Sequence, residues 1–348
     1  MNVVFRVDAS NEIGSGHVVR CKALARILLE RGHKCSFVSA DLVGNHIALL
    51  IEDGINVDLI FPKLNIIKYH NENDDIQFCK KLEVFKQADW VVVDHYHLGC
   101  KWQKNIKTLK AKLLVIDDRI FTSKIADIFL NQNFQEKNNI NISNKICKHF
   151  FGPKYALVAR EFKDYVQKSI IRKKQNKLDN LIICMGGGDS FSETNEVVDG
   201  VVNADHKWKS VNIVVGKSCS NIPTIKSIVN KNVGWYLHIQ TKKMANLLAD
   251  ADLAITGGGS ISWEKCVLGV PSIVKILEEN QEANSKILEE MGCHILVERN
   301  GIKSSIQYTK LINKLDQKKI SEMSFKSSLI CDSFGTLRIG EEMENISS

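Results

Sequence analysis

Apolar runs that fail to alternate with polar residues restrict the fold of this chain more than any other feature. Val3 to Val7, Lys34 to Ser39, Val57 to Phe61, Asp89 to Asp94 and Leu113 to Asp118 form one series. Leu181 to Met185, Val211 to Gly216, Asp252 to Thr256 and Ser272 to Lys275 form a second. A strand covered on both faces carries apolar residues at successive positions, whereas a half-exposed strand alternates. Between the runs the spacing is helical: Cys21, Leu24 and Leu28 share one face, Lys22, Arg26 and Glu30 the other, and Gly32 follows as a stop. The expected class is therefore α/β, with doubly wound parallel sheets. The series starts twice in 348 residues, which predicts two Rossmann-like domains, residues 1–160 and 178–348, with an interdomain cleft as the expected site. The basic stretch Lys163 to Lys177 is read as a solvated linker, and the Asn- and Lys-rich stretch Gln135 to His149 as a surface excursion.

Composition removes several function classes. A formal charge of +7 with acidic and basic residues mixed along the chain, and no interleaving of basic and aromatic residues, argues against a nucleic-acid partner. Ten cysteines stand singly, without C-x-x-C or Cys/His ligand spacing, so neither a zinc site nor a disulfide framework is expected and a reducing cytoplasm fits. No apolar stretch approaches the roughly 20 residues that span a bilayer, and the chain enters a strand without a signal-like segment. No membrane association is expected.

The candidate site begins at Phe5-Arg6-Val7-Asp8 and Ile13-Gly14-Ser15-Gly16-His17, a strand, a glycine turn and a helix start. At a helix N-terminus the dipole disfavours imidazolium, so His17 is expected neutral and able to accept a proton. A packed or capping histidine is the plainer alternative. Ligands in such sheets bind beyond the carboxyl ends of the strands, where Asp94-His95-Tyr96 and Asp117-Asp118 fall. Gly257-Gly258-Gly259-Ser260 opens a helix after a strand, the arrangement in which bare N–H groups and the helix dipole hold phosphate oxygens. Glu264 lies a turn further on, either to accept bonds from ribose hydroxyls or simply to suit the dipole. After Met185, Gly186-Gly187-Gly188-Asp189 can add a second such loop or be a plain strand-to-helix turn, and Asn280-Gln281 can bring amides to the same place or begin a surface helix. The dinucleotide fingerprint is incomplete, because Val19 stands where its third glycine would be, and neither glycine triplet leads into the Lys-Ser/Thr of a P-loop. No carboxylate and histidine cluster has metal spacing, so catalysis without a metal or cofactor is expected.

Taken together, Arg6-Val7-Asp8-Ala9-Ser10, Ile13 to His17 with Arg20, Asp94-His95-Tyr96, Tyr155-Ala156-Leu157 with Arg160, Met185-Gly186-Gly187, Gly257 to Ser260 with Trp263-Glu264, and Asn280-Gln281 resemble the UDP-2,4-diacetamido-2,4,6-trideoxy-β-L-altropyranose hydrolases of pseudaminic acid biosynthesis. The order and spacing agree from residue 1 to about 300. The resemblance implies a GT-B fold, UDP held by the second domain and the sugar by the first. It implies that His17 activates water for attack at the anomeric carbon and that the Gly257 to Ser260 loop and Glu264 bind UDP; from position alone, Asp94, His95 and Tyr96 are expected to orient the water or bind the acetamido and hydroxyl groups, and Asp8 to hold the glycine turn or contact the sugar. It makes a small-molecule UDP-sugar the partner, with a monomer as the default. Gly335 to Arg338 resembles the start of a terminal helix that packs back on the first domain in proteins of this fold. A glycosyltransferase using a UDP-sugar donor, and a non-catalytic UDP-sugar binding module, are the rival readings.

Overall fold

The computed structural model describes residues 1–60, 71–119, 125–135, 147–186, 193–217 and 219–347. The chain divides into two compact units, Met1–Ala159 with Phe334–Ser348, and Arg160–Ser333. The first contains β1 (Asn2–Val7), α1 (Gly16–Glu30), β2 (Lys34–Ala40), α2 (Ile47–Glu52), β3 (Asn56–Ile60), α3 (Glu72–Lys81), α4 (Glu83–Lys86), β4 (Trp90–Asp94), α5 (Cys100–Lys107), β5 (Lys112–Ile116), β6 (Ile128–Asn131) and β7 (Lys148–Phe151). The second contains α6 (Glu161–Asp164), α7 (Val166–Gln175), β8 (Asn180–Cys184), α8 (Glu193–Val202), β9 (Ser210–Val215), α9 (Ile222–Lys231), β10 (Trp235–Ile239), α10 (Met244–Asp250), β11 (Leu253–Gly257), α11 (Ile261–Leu268), β12 (Ser272–Lys275), α12 (Glu282–Glu290), β13 (His294–Leu296), α13 (Ser304–Asn313) and α14 (Gln317–Ser328). The last helix, α15 (Gly335–Ser347), belongs to the first unit.

The first sheet runs β3-β2-β1-β4-β5-β6-β7 and the second β10-β9-β8-β11-β12-β13. Every strand-to-strand pairing among the described residues is parallel. Unbroken hydrophobicity in β1 and β4 follows from two-sided burial. Val3, Phe5, Trp90 and Val92 enter one core layer, whereas Val4, Val91 and Val93 enter the other. In each sheet the strand order reverses once, between β1 and β4 and between β8 and β11. Crevices at the carboxyl ends of strands at such reversals are where parallel α/β sheets bind ligands.

The division departs from the expected boundaries at both ends. The basic stretch read as a linker is helical, and its Arg172 is buried. The guanidinium donates to Leu248 O at 3.2 Å, to Gly269 O at 3.2 Å and to Ala251 O. These carbonyls close α10 and α11, where the dipole favours a cation, so charge here marks a helix-end contact and not solvation. α15 lies on the first unit because Ile339 and Met343 complete its core. Thr336 Oγ1 donates to Val158 O at 2.7 Å, and Arg31 and His33 both bond Glu344.

Within the stretch read as an excursion, residues 136–146 lie outside the described residues, and Lys148–Phe151 is the edge strand β7. The edge strands β7, β10 and β13, and β6 beside β7, escape the run-based reading. Edge strands are exposed on one side, and β7 and β10 alternate or mix polar and apolar residues accordingly. Among the described residues no helix is long and apolar enough to cross a membrane.

Candidate active site

The carboxyl ends of β1 and β4 face the start of α1. β1 and β4 pair with Val7 opposite Asp94, so Asp8 and Asp94 to Tyr96 leave adjacent strands at one edge. Gly14 donates to Ser10 O at 2.9 Å, closing the turn that delivers Gly16 and His17 to the helix start. His17 Nδ1 lies 2.6 Å from Asp94 Oδ1. Arg20, one turn along α1, grips both oxygens of Asp94 at 2.6 Å and both oxygens of Asp118 at 2.8 Å. Tyr96 donates its hydroxyl to Asp118 at 3.0 Å, and its ring meets the His17 ring edge-on with centroids 4.8 Å apart. The Asp94 side chain is 0% exposed. Burial alone would raise its pKa, but Arg20 and His17 outweigh it and hold the carboxyl well below the usual range. An ionised Asp94 fixes the Nδ1–H tautomer, which leaves Nε2 as the ring's acceptor. Nε2 has no hydrogen-bond partner among the described residues.

A second set of the same composition adjoins it. Arg6, buried within β1, bonds Asp8 at 2.6 Å and Asp75 at 2.6 Å. Trp102 Nε1 donates to Asp75 at 2.7 Å. His95 accepts the His97 N–H at Nδ1, so its Nε2–H donates to Asp8 at 3.0 Å. Asp8 also accepts the Ala40 N–H at 2.8 Å. Burial opposes ionisation of Asp8, yet Arg6 and His95 hold its pKa well down.

Several of the expected site residues take their places in these two sets, and others lie elsewhere. Asp94 and Asp8 are buried, and protein donors meet the oxygens of both. Asp94 bonds His17 and Arg20, and Asp8 bonds Arg6 and His95. Arg20 is buried between two carboxylates, beside His17. Tyr155 joins neither set. Its ring packs on Phe150 at 4.9 Å beside the base of α15. Arg160 is exposed at the start of α6, in the other unit. Asp118 as the shared anchor of Arg20 and Tyr96, and Asp75 as partner of Arg6, went unread because pairing across strands leaves no local spacing signal.

In the second unit, β11 ends at Gly257 and α11 begins at Ile261, with Gly258, Gly259 and Ser260 between. A side chain on Gly257 would stand 2.9 Å from the Met185 carbonyl, and one on Gly258 2.5 Å from Ser285 Oγ. Only glycine fits that crossing. Gln281 Oε1 accepts the Gly258 N–H at 3.2 Å and the Leu277 N–H at 3.0 Å, so this amide braces the loop. Asn280 beside it is exposed. At the start of α11 the Ser262 N–H donates to Gly259 O at 3.0 Å and the Trp263 N–H to Ser260 O at 3.1 Å, and the positive end of the helix dipole is what this helix start offers an anion. Glu264, half-buried in the first turn, is pushed up to about 8 by burial and by Glu161. Met185 is a buried strand end followed by Gly186, whereas Gly187, Gly188 and Asp189 lie outside the described residues. Among the described residues no group of three or more His, Cys, Asp or Glu is placed to hold a metal ion.

Comparison with known proteins agrees with this architecture. The glycosyltransferase family 28 C-terminal domain matches residues 181–329. An uncharacterized protein of Methanocaldococcus jannaschii is 26% identical over 81% of this chain, which spans just over half, 57%, of that relative. The UDP-2,4-diacetamido-2,4,6-trideoxy-β-L-altropyranose hydrolase of Campylobacter jejuni is 24% identical over 85% of this chain and 98% of its own length. The crystal structure of MurG from Acinetobacter baumannii superposes with a TM-score of 0.66 at 15% identity, covering 99% of each chain. The fold is GT-B: two Rossmann-like α/β units, each with a parallel sheet.

Proposed function

We propose that this chain hydrolyses a UDP-sugar, water attacking the anomeric carbon and UDP departing. The observation that carries the reading is His17, backed at Nδ1 by a buried carboxylate 2.6 Å away and placed at the strand-order reversal. A histidine so backed takes a proton at Nε2 while the carboxylate keeps the tautomer and stabilises the imidazolium. Charge balance favours the same step. Arg20 stands against Asp94 and Asp118, so the set carries one net negative charge with His17 neutral and none once His17 is protonated.

The water oxygen bonds to the anomeric carbon, the carbon–oxygen bond to the diphosphate breaks with its electron pair leaving on UDP, and His17 receives the proton. Direct displacement inverts the anomeric centre. In this reading the Gly257 to Ser260 loop and the start of α11 meet the diphosphate charge without a metal, and Glu264, still protonated at neutral pH, both donates to and accepts from ribose hydroxyls. The sugar lies against His17 and Tyr96. The name of the Campylobacter relative and the motifs around His17 support UDP-2,4-diacetamido-2,4,6-trideoxy-β-L-altropyranose as the substrate. The chain then supplies the free sugar for pseudaminic acid biosynthesis.

A glycosyltransferase is the competing reading, favoured by the family 28 match. There His17 would deprotonate an acceptor hydroxyl. Incubation of the pure protein with the sugar nucleotide in ¹⁸O-water separates them. Full-rate UDP release without acceptor, with label in the sugar, is the expected result. Label in UDP rejects attack at carbon, and release that waits for an acceptor rejects hydrolysis.

A further inference from the structure

A lysine is buried behind the glycine loop without an anion to meet it. Lys265, on α11, is 2% exposed. Its Nζ donates to Thr256 Oγ1 at 2.8 Å and Ser272 Oγ at 2.9 Å, tying β11 to β12 directly beneath Gly257. The titratable groups close enough to act on it are Cys184 at the end of β8, Cys266 on its own helix, Cys293 and His294 at β13. Burial pushes the Cys266 thiol up to about 12 and raises that of Cys293, while His294 is pushed down to about 3 by burial and by Lys265. Elsewhere on α11, Glu161 of α6 acts on Glu264, and Lys173 of α7 lies against Gly269 at the far end. No described carboxylate pairs with Lys265. An ammonium held by two hydroxyls in a dry interior is costly, and burial lowers the Lys265 pKa to about 8.

We propose that Lys265 is the buried countercharge of the nucleotide diphosphate, gaining a proton when a diphosphate occupies the Gly257 to Ser260 loop. The inference rests on the assignment of UDP to that loop. An anion beside the loop raises the lysine's affinity for its proton, and by reciprocity the protonated lysine raises affinity for the anion by the same factor. Nucleotide binding is thus coupled to proton uptake in mildly alkaline solution, where free Lys265 is mainly neutral.

Calorimetric titration of UDP into the full chain, in two buffers of different ionisation enthalpy, tests the coupling. At about pH 9 the expected uptake is above roughly half a proton per UDP, falling away near pH 7, with affinity dropping roughly five- to tenfold across that range. The UDP phosphate itself titrates near pH 6 and stays out of the window. Lys265→Met keeps the volume without the charge. It should abolish both uptake and pH trend and bind UDP about tenfold more weakly at neutral pH. UDP binding by the wild type without uptake overturns the proposal and leaves the loop assignment intact. Uptake that survives Lys265→Met and vanishes in Glu264→Gln also overturns it. Absence of UDP binding by the wild type removes the loop assignment and the proposal together. Should Lys265→Met fail to fold, Lys265→Gln and the wild-type uptake decide.

Discussion

In the proposed reaction His17 is the residue on which the chemistry turns, with Asp94 and Arg20 packed around its ring. His17→Ala should lower kcat by about 10²- to 10⁴-fold, the usual span for a general base, with UDP affinity unchanged, read by initial rates and calorimetry. Asp94→Asn should lower kcat about 10- to 100-fold with KM little changed, because the imidazole loses its orienting carboxylate but no substrate contact. Carboxyl pKa shifts of opposite sign give opposite stability trends. Asp94 is depressed below its ordinary 3.8, so its contribution is full above that value and lost as pH falls through the folded pKa. Asp94→Asn should therefore flatten acid unfolding between about pH 4 and 2 in a pH-resolved urea series. Glu264 is raised from 4.5 to about 8, so the folded state keeps a proton that the unfolded chain releases, and stability falls as pH rises between those values. Glu264→Gln should consequently match the wild-type Tm near pH 5 and exceed it by a few degrees, about 2–4 °C, near pH 8.

At the level of elements, the site is built from strand ends, helix starts and the turns that join them. β1 and β4 deliver carboxylates at one edge because register places Val7 opposite Asp94, and α1 turns His17 and Arg20, three residues apart, onto the same face. In the second unit the close backbone crossing is at Gly257, against the Met185 carbonyl. α15 depends on an equally close approach. A side chain on Gly335 would stand 2.7 Å from the Ala156 nitrogen, with no flexible atom to yield. Gly335→Ala should cost about 1–3 kcal/mol in urea unfolding of the first unit, and a value near zero would show that α15 does not pack as described.

For the whole molecule, one chain builds two units of the same architecture and returns its last helix to the first. Truncation after Ser333 removes Ile339 and Met343 from the core and the Ser347 hydroxyl from Trp90 Nε1. It should destabilise the first unit by more than about 3 kcal/mol while leaving the unfolding of Arg160–Ser333 in place, seen as separate transitions in calorimetry. The two parallel sheets, their central strands and the glycine loops were legible in sequence, because two-sided burial demands continuous apolar runs and a close backbone crossing demands glycine. His17 was legible as a helix-start residue for the same local reason. Edge strands were not, since one exposed side erases the run. Nor was the burial of Arg172, whose carbonyl partners on α10 and α11 lie 76 or more positions away in the chain. The packing of Asp94, Asp118 and Arg20 around His17 likewise came only from the tertiary structure. Asp94, Asp118 and Arg20 are spread over 98 positions, and whether a carboxylate meets water, a ligand or another side chain depends on what the fold packs against it, which local spacing does not encode.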